Sequence, residues 1–250
     1  MSAILIFLTV LALGAGWWLS RQGLTVKPWL QVDHAGTVAD PGPSRHSPAQ
    51  LGLGLFLAVV GSLFALLISA YIIRAEAGDW RGFPLPWIVW ANTLTLLAAS
   101  LALEWARSAA QRGALAVART GVIAGSGAAL LFVTGQLVAW ASLTESGYDI
   151  SSGPAGSFFY LMTAAHGLHV VGGIFALGRT LGHIRRADQD NLGWQERKEQ
   201  AGLVRISVDL AATYWLFMLF VWVVLLLVLS GWAGAFLALC GQILSGSGLT

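Results

Sequence analysis

The chain has 250 residues, of which 56% are hydrophobic and only 10% are charged, and its formal net charge at pH 7 is +2. Ordinary soluble domains carry about 25% charged residues, so this composition excludes a water-soluble globular protein. The Lys and Arg residues form no stripe that could follow a phosphate backbone, which excludes nucleic acid as a partner. The single cysteine, Cys240, excludes an internal disulfide and every paired-cysteine metal motif.

Six apolar runs are long enough to cross the hydrocarbon core of a membrane, which takes about 20 residues in a helix. We therefore predict an all-α fold, a polytopic transmembrane helix bundle, with six spans near Ala3 to Ser20, Leu51 to Ile73, Pro86 to Ala106, Thr120 to Leu143, Ser157 to Gly178 and Ile206 to Ser230. No Lys or Arg precedes the first run, so we interpret it as a retained helix and not as a secretory signal.

These runs divide the chain into three predicted parts. Residues 1–50 hold an amino-terminal transmembrane helix and a Pro- and Gly-rich cytoplasmic linker, and residues 51–230 hold a five-helix core. Residues 231–250 begin with a short, glycine-rich apolar stretch, which leaves a partial seventh span, an extension of the sixth helix and a surface tail as open alternatives. A second long loop is predicted at Leu181 to Arg205, where alternating charges favour a solvated linker over a docking surface.

The basic residues predict the orientation of the chain in the membrane. Twelve of the fourteen Lys and Arg residues lie in three segments on one side of the spans, Arg21 to Gln50, Arg107 to Arg119 and Arg179 to Arg205. Cytoplasmic loops carry the excess of Lys and Arg. This pattern predicts a multi-pass protein with its amino terminus outside and an external loop from Thr144 to Gly156. The expected location is the bacterial inner (plasma) membrane.

Ionisable residues are nearly absent from the middle of the predicted spans. Glu104 and Asp209 lie near helix ends, and Glu104 is placed to pair with Arg107 on one helical face. The exceptions are His166 and His169, which lie three residues apart on roughly one face of the fifth span.

Two interpretations of this histidine pair compete. Neutral imidazole is a good ligand for haem iron, copper or zinc, but no other predicted span contains a histidine to complete such a site. We therefore favour a structural role, in which each imidazole hydrogen-bonds to a neighbouring helix or to a lipid headgroup. No metal site and no catalytic residue is predicted in this chain.

Small residues recur every four positions in the fourth predicted span, at Gly121, Gly125 and Ala129. Such a stripe lets two transmembrane backbones approach closely, so we predict a tight helix contact there.

Four ordered motifs carry a resemblance to a known family. The fifth span contains an aromatic pair followed by a Thr-x-x-His-Gly-x-His-Val pattern, namely Phe158, Phe159, Thr163, His166, Gly167, His169 and Val170. Other spans contribute Asn92 and Thr93, then Gln136, then Tyr214 and Trp215. Together these motifs resemble subunit III of the haem-copper respiratory oxidases, in a divergent branch, over about Gln50 to Leu229.

The resemblance implies a supporting role in a membrane complex. Subunit III carries no redox centre; haem and copper are expected in partner subunits, the catalytic subunit I and subunit II. Bound phospholipid is also implied, so the motif residues are candidate contacts with lipid or with a neighbouring subunit. The complex would reduce oxygen to water, and this chain would support stability, lipid binding, oxygen access and proton uptake.

Three alternatives remain open from the sequence. Related proteins accompany nitric oxide reductases, so the chain could be an accessory subunit of such an enzyme. A small transporter is disfavoured by the lack of internal repeats and proline-broken helix pairs. A haem-binding membrane cytochrome would require the histidine pair to be a ligand site.

Overall fold

The computed structural model describes residues 47–76, 85–188 and 193–231. These residues form five α-helices, which we number in chain order: α1 Pro48–Ala75, α2 Ile88–Gln111, α3 Leu115–Glu145, α4 Pro154–Ala187 and α5 Trp194–Leu229. Each is long and apolar enough to cross a membrane. The all-α prediction is thus confirmed for the described residues, with five helices capable of spanning a membrane, while the predicted span near Ala3 to Ser20 and the stretch after Gly231 lie outside the described residues.

Side-chain hydrogen bonds cap the starts of α1 and α5. At the start of α1, the Ser47 backbone N–H donates to Gln50 Oε1 at 2.9 Å and the Gln50 N–H donates to Ser47 Oγ at 3.3 Å. This reciprocal pair is a capping box, and Pro48 occupies the first helical position, where a missing N–H costs nothing. The Glu196 carboxylate likewise accepts from the Gly193 N–H at the start of α5, at 3.3 Å.

The chain divides into two compact units within α1, one comprising Met1–Ser62 and the other Leu63–Thr250. The second unit contains the end of α1 and all of α2 to α5. In it α2 packs on α3 and α5, and α4 packs on the same two helices, so each of the four helices has two neighbours. The interior enclosed by these four helices holds the candidate site.

The contact between α2 and α3 depends on the predicted stripe of small residues. A Cβ atom on Gly121 would lie 2.8 Å from Ala106 Cβ, and one on Gly125 would lie 2.8 Å from Leu103 Cγ. Ala129 is also buried. The prediction of a tight helix contact at this stripe is confirmed, because neither glycine could carry a side chain without separating the helices.

The prediction of a long loop from Leu181 to Arg205 is wrong. Helix α4 continues to Ala187 and α5 begins at Trp194, so most of this charged segment is helical. With 34 and 36 residues, the two helices are about 51 and 54 Å long, well beyond a hydrocarbon core of about 30 Å. A helix need not end at the membrane surface, since Arg, Lys, Glu and Gln are good helix formers in water.

An ion pair joins the end of α2 to the first half of α5. Arg107 Nη2 lies 2.6 Å from Asp209 Oδ1, and Arg107 Nη1 lies 3.4 Å from Glu104 Oε1. The predicted pairing of Glu104 with Arg107 is therefore confirmed. The bond to Asp209 also places these parts of α2 and α5 at the same end of the second unit, as alternating spans require.

Candidate functional site

Four helices each contribute polar groups to one region of the interior, which we call the polar layer: Asn92 and Thr93 of α2, Gln136 of α3, His166 of α4 and Trp222 of α5. Asn92 Nδ2 donates to Gln136 Oε1 at 3.3 Å, and Trp222 Nε1 donates to Thr93 Oγ1 at 3.0 Å. Asn92, Gln136, His166 and Trp222 are all buried. Hydrogen bonds between helices are strong candidates for fixing helix register in a lipid environment, where water cannot replace them.

A glycine makes room for the Asn92 side chain. A Cβ atom on Gly135 would collide with Asn92 Oδ1. Gly135 directly precedes Gln136. The space for the Asn92 carboxamide therefore lies next to the residue that accepts its hydrogen bond. The bond between Asn92 and Gln136 therefore requires glycine at position 135.

Aromatic rings enclose the imidazole of His166, which has 0% of its surface exposed. Ring centroids of Phe64, Phe132 and Trp222 lie 6.2, 5.6 and 5.1 Å from that of the imidazole. These distances are typical of aromatic contact. Both ring nitrogens are also buried, so a haem iron could reach neither without displacing side chains, and the geometry does not fit haem ligation.

The two histidines share a helical face, as predicted. The evidence is that the Phe64 ring contacts both, with its centroid 5.6 Å from that of the His169 ring. We predicted that each imidazole hydrogen-bonds to a neighbouring helix or to a lipid headgroup, and no bond from either ring to a neighbouring helix is found among the described residues. His169 Nδ1 lies 2.7 Å from the Ala165 carbonyl oxygen of its own helix. Within the described residues neither ring nitrogen of His166 has a hydrogen-bond partner. Helical spacing indicates the shared face but does not specify what the face meets.

The remaining residues of the α4 motif lie towards the start of that helix. Thr163 Oγ1 accepts a hydrogen bond from Trp140 Nε1 at 3.1 Å and donates to the Phe159 carbonyl at 2.7 Å. Phe159 is fully buried, whereas the Phe158 ring meets Tyr71 of α1 edge-on at 5.8 Å. This end of α4 is thus bonded to α3 and in ring contact with α1.

Tyr214 and Trp215 lie where α5 meets α4 and α2. The Tyr214 hydroxyl donates to the His169 carbonyl oxygen at 2.6 Å, and a Cβ on Gly173 would lie 2.6 Å from Tyr214 Cε1. Trp215 is fully buried. Gly167 differs from Gly173, because no heavy atom of the described residues lies within 4 Å of the Cβ it would carry. Contacts among the described residues therefore do not require glycine at position 167.

The motif analysis did not identify three residues of this region as site residues. The Trp222 ring contacts the imidazole of His166 at a tilt of 36° and its indole N–H bonds Thr93. Phe132 contacts both His166 and Trp222, and Gly135 leaves room for Asn92. The spacing of Phe132 and Gln136, four residues apart on one helical face, was the available signal for the phenylalanine. No comparable signal marks Gly135.

Groups of three or more His, Cys, Asp or Glu side chains that could hold a metal ion are not found among the described residues. The polar layer contributes only neutral groups: an imidazole, two carboxamides, a hydroxyl and an indole. Such groups can orient one another and bind neutral hydrogen-bonding partners.

Comparison with known proteins identifies relatives. The family model described as "Cytochrome c oxidase subunit III" matches residues 82–234. "Probable cytochrome c oxidase subunit 3" of Mycobacterium tuberculosis (strain ATCC 25618 / H37Rv) is 37% identical over 118 residues, 46% of this chain and 57% of that protein. The chain therefore matches little more than half the length of this relative.

Two further relatives come from distant organisms. "Cytochrome c oxidase subunit 3" of Marchantia polymorpha is 33% identical over 150 residues, 60% of this chain and 51% of that protein. The protein of the same name from Thermostichus vulcanus is 28% identical over 179 residues, 70% of this chain and 83% of that protein. Since the family model covers more than half of the chain and includes the whole polar layer, the chain belongs to the cytochrome c oxidase subunit III family.

Proposed function

We propose that this chain is the non-catalytic subunit III of a terminal respiratory oxidase that reduces oxygen to water. The family match over residues 82–234 carries this proposal. The chain associates with a catalytic subunit I and a subunit II, and haem and copper reside in those partners. In this proposal the chain supports the stability of the complex, lipid binding, oxygen access and proton uptake.

The interior of the second unit suits a scaffold. Asn92 bonds Gln136 and Trp222 bonds Thr93, so polar groups on facing helices hold one another in place. Trp140 and Thr163 add a further bond between α3 and α4. Together these contacts support a role in which the chain presents a rigid surface to its partners.

Bound phospholipid is supported by the outward face of α2. Its exposed side chains are large and apolar and recur with helical spacing, at Trp87, Trp90, Leu94, Leu97, Leu101 and Trp105. Such a surface fits acyl chains, and tryptophan at a helix end is typical of the membrane interface. The motif residues are proposed contacts with lipid or a neighbouring subunit, above all Gly167, which has no packing contact at its Cβ position among the described residues.

The proposed location is the bacterial inner membrane, with the amino terminus outside. The twelve basic residues on one side of the spans support this orientation. Arg107 and Asp209, which pair at 2.6 Å, lie on that side, near its boundary with the membrane.

Purification through a tag on this chain in mild detergent tests the proposal. We expect oxidase subunits I and II to co-purify, with a haem spectrum and oxygen consumption in the complex and no Soret band in the isolated chain. The same cells carrying an untagged chain provide the control. Nitric oxide consumption by the purified complex would instead identify an accessory subunit of a nitric oxide reductase, and haem bound to the isolated chain would contradict a non-catalytic role.

A further inference from the structure

Two residues of the polar layer have hydrogen-bonding capacity that the described residues do not use. Both ring nitrogens of His166 and the Nε2 atom of Gln136 are buried without a hydrogen-bond partner in the described part of the chain. His166 is 0% exposed and Gln136 is 4% exposed. A neutral imidazole has one donor and one acceptor nitrogen, and a carboxamide nitrogen has two donor hydrogens. Buried groups of this kind are nearly always paired.

The helix register places these two residues at the same level. Gln136 lies one turn from Phe132, whose ring contacts His166, and one turn from Trp140, whose indole bonds Thr163. Thr163 and His166 are themselves one turn apart on α4. Gln136 therefore faces the turn of α4 that carries His166, with its Oε1 atom occupied by Asn92 on the other side.

We propose that His166 and Gln136 bind internal water between α3 and α4, as one molecule or a pair. One water molecule accepts a hydrogen bond from the Gln136 amide and donates one to the unprotonated imidazole nitrogen. A second water accepts from the imidazole N–H, which points away from the first. The rings of Phe132 and Trp222 form the walls of this site. The proposal does not depend on which complex the chain joins.

The chemistry of the layer selects a neutral ligand. All polar side chains that surround His166 and Gln136 in the layer are uncharged, so a buried cation or anion would find no compensating charge there. The complete burial of His166 also separates its imidazole from lipid headgroups at the surface. Water satisfies the unused donors and acceptor at no electrostatic cost.

A density map of the intact complex, at a resolution that shows other buried waters, tests the proposal directly. We expect solvent density within about 2.7 to 3.2 Å of a His166 ring nitrogen and of Gln136 Nε2. A map without such density, or with a metal ion or a lipid headgroup at His166, would overturn it.

A double-mutant cycle in the full-length chain gives a second test. His166→Phe and Gln136→Leu should each lower the apparent melting temperature by about 2 to 4 °C. Because shared water couples the two side chains, the double variant should lose clearly less than the sum of the two single losses. Gln136→Leu also removes the hydrogen bond that Gln136 accepts from Asn92. This loss is the same with His166 or Phe at position 166, so it cancels in the cycle. His169→Phe combined with Gln136→Leu is the matched control, since His169 bonds its own helix, and it should be additive. Additivity for His166 with Gln136 would contradict the proposal.

Discussion

Replacing Gly135 by alanine should disrupt the polar layer through a single added methyl group. The new Cβ would collide with Asn92 Oδ1 and would lie 2.9 Å from Asn92 Cγ. Asn92 must then rotate, which breaks its 3.3 Å bond to Gln136 Oε1. The substitution therefore acts on a residue 43 positions earlier in the chain, on a different helix.

The expected loss follows from three contributions. Breaking a buried hydrogen bond costs about 1 to 3 kcal/mol and overpacking costs about 1 to 3 kcal/mol, whereas alanine gains about 1 kcal/mol over glycine in a helix. The net loss of unfolding free energy is about 3 kcal/mol, within a range of about 1 to 5, which lowers the melting temperature by about 2 to 4 °C per kcal/mol.

Thermal unfolding of the full-length chain in mild detergent measures this effect. Gly127→Ala is the matched control, because it lies on the same helix and its added Cβ has no heavy atom of residues 47–76, 85–188 or 193–231 within 4 Å. It should be neutral or slightly stabilising. In a second comparison, Asn92→Ala combined with Gly135→Ala should lose less than the sum of the two single variants, since the collision is gone. Equal stability of the Gly135→Ala and Gly127→Ala variants would refute the reasoning.

Three further predictions concern charge and topology. Asp209→Asn should lower the unfolding free energy by about 1 to 3 kcal/mol, between the values for exposed and buried ion pairs. Glu104→Gln should cost less, because the contact of Glu104 with Arg107 is longer, at 3.4 Å. Equal losses of the two variants in denaturant unfolding would contradict this. In a background without the native cysteine, a cysteine at Gln111 should react only with reagents on the cytoplasmic side and one at Ser146 only from outside, and the reverse labelling would invert the proposed orientation. Residues 51–73 contain no Asp or Glu, so mass spectrometry should find no carbodiimide incorporation there, and a modified residue in this segment would contradict the prediction.

Much of the fold follows from local sequence pattern. Long apolar runs predicted all five described helices, because a backbone in lipid must satisfy its own hydrogen bonds. Helical spacing correctly placed His166 and His169 on one face and predicted the close contact at Gly121 and Gly125. The same patterns misjudged the segment from Leu181 to Arg205, since hydropathy marks where the membrane ends and not where a helix ends.

The partners inside the polar layer were decided only by the tertiary structure. Asn92 meets Gln136 across 44 positions, and Trp222 meets Thr93 across 129. Periodicity indicates which face of a helix is buried. Which turn of one helix contacts which turn of a neighbouring helix depends on how the side chains of the two helices interlock. That interlocking depends on details such as the space that Gly135 leaves for Asn92. The enclosure of His166 by three aromatic rings from three other helices is decided at the same level, because no local pattern specifies a contact among four separate segments.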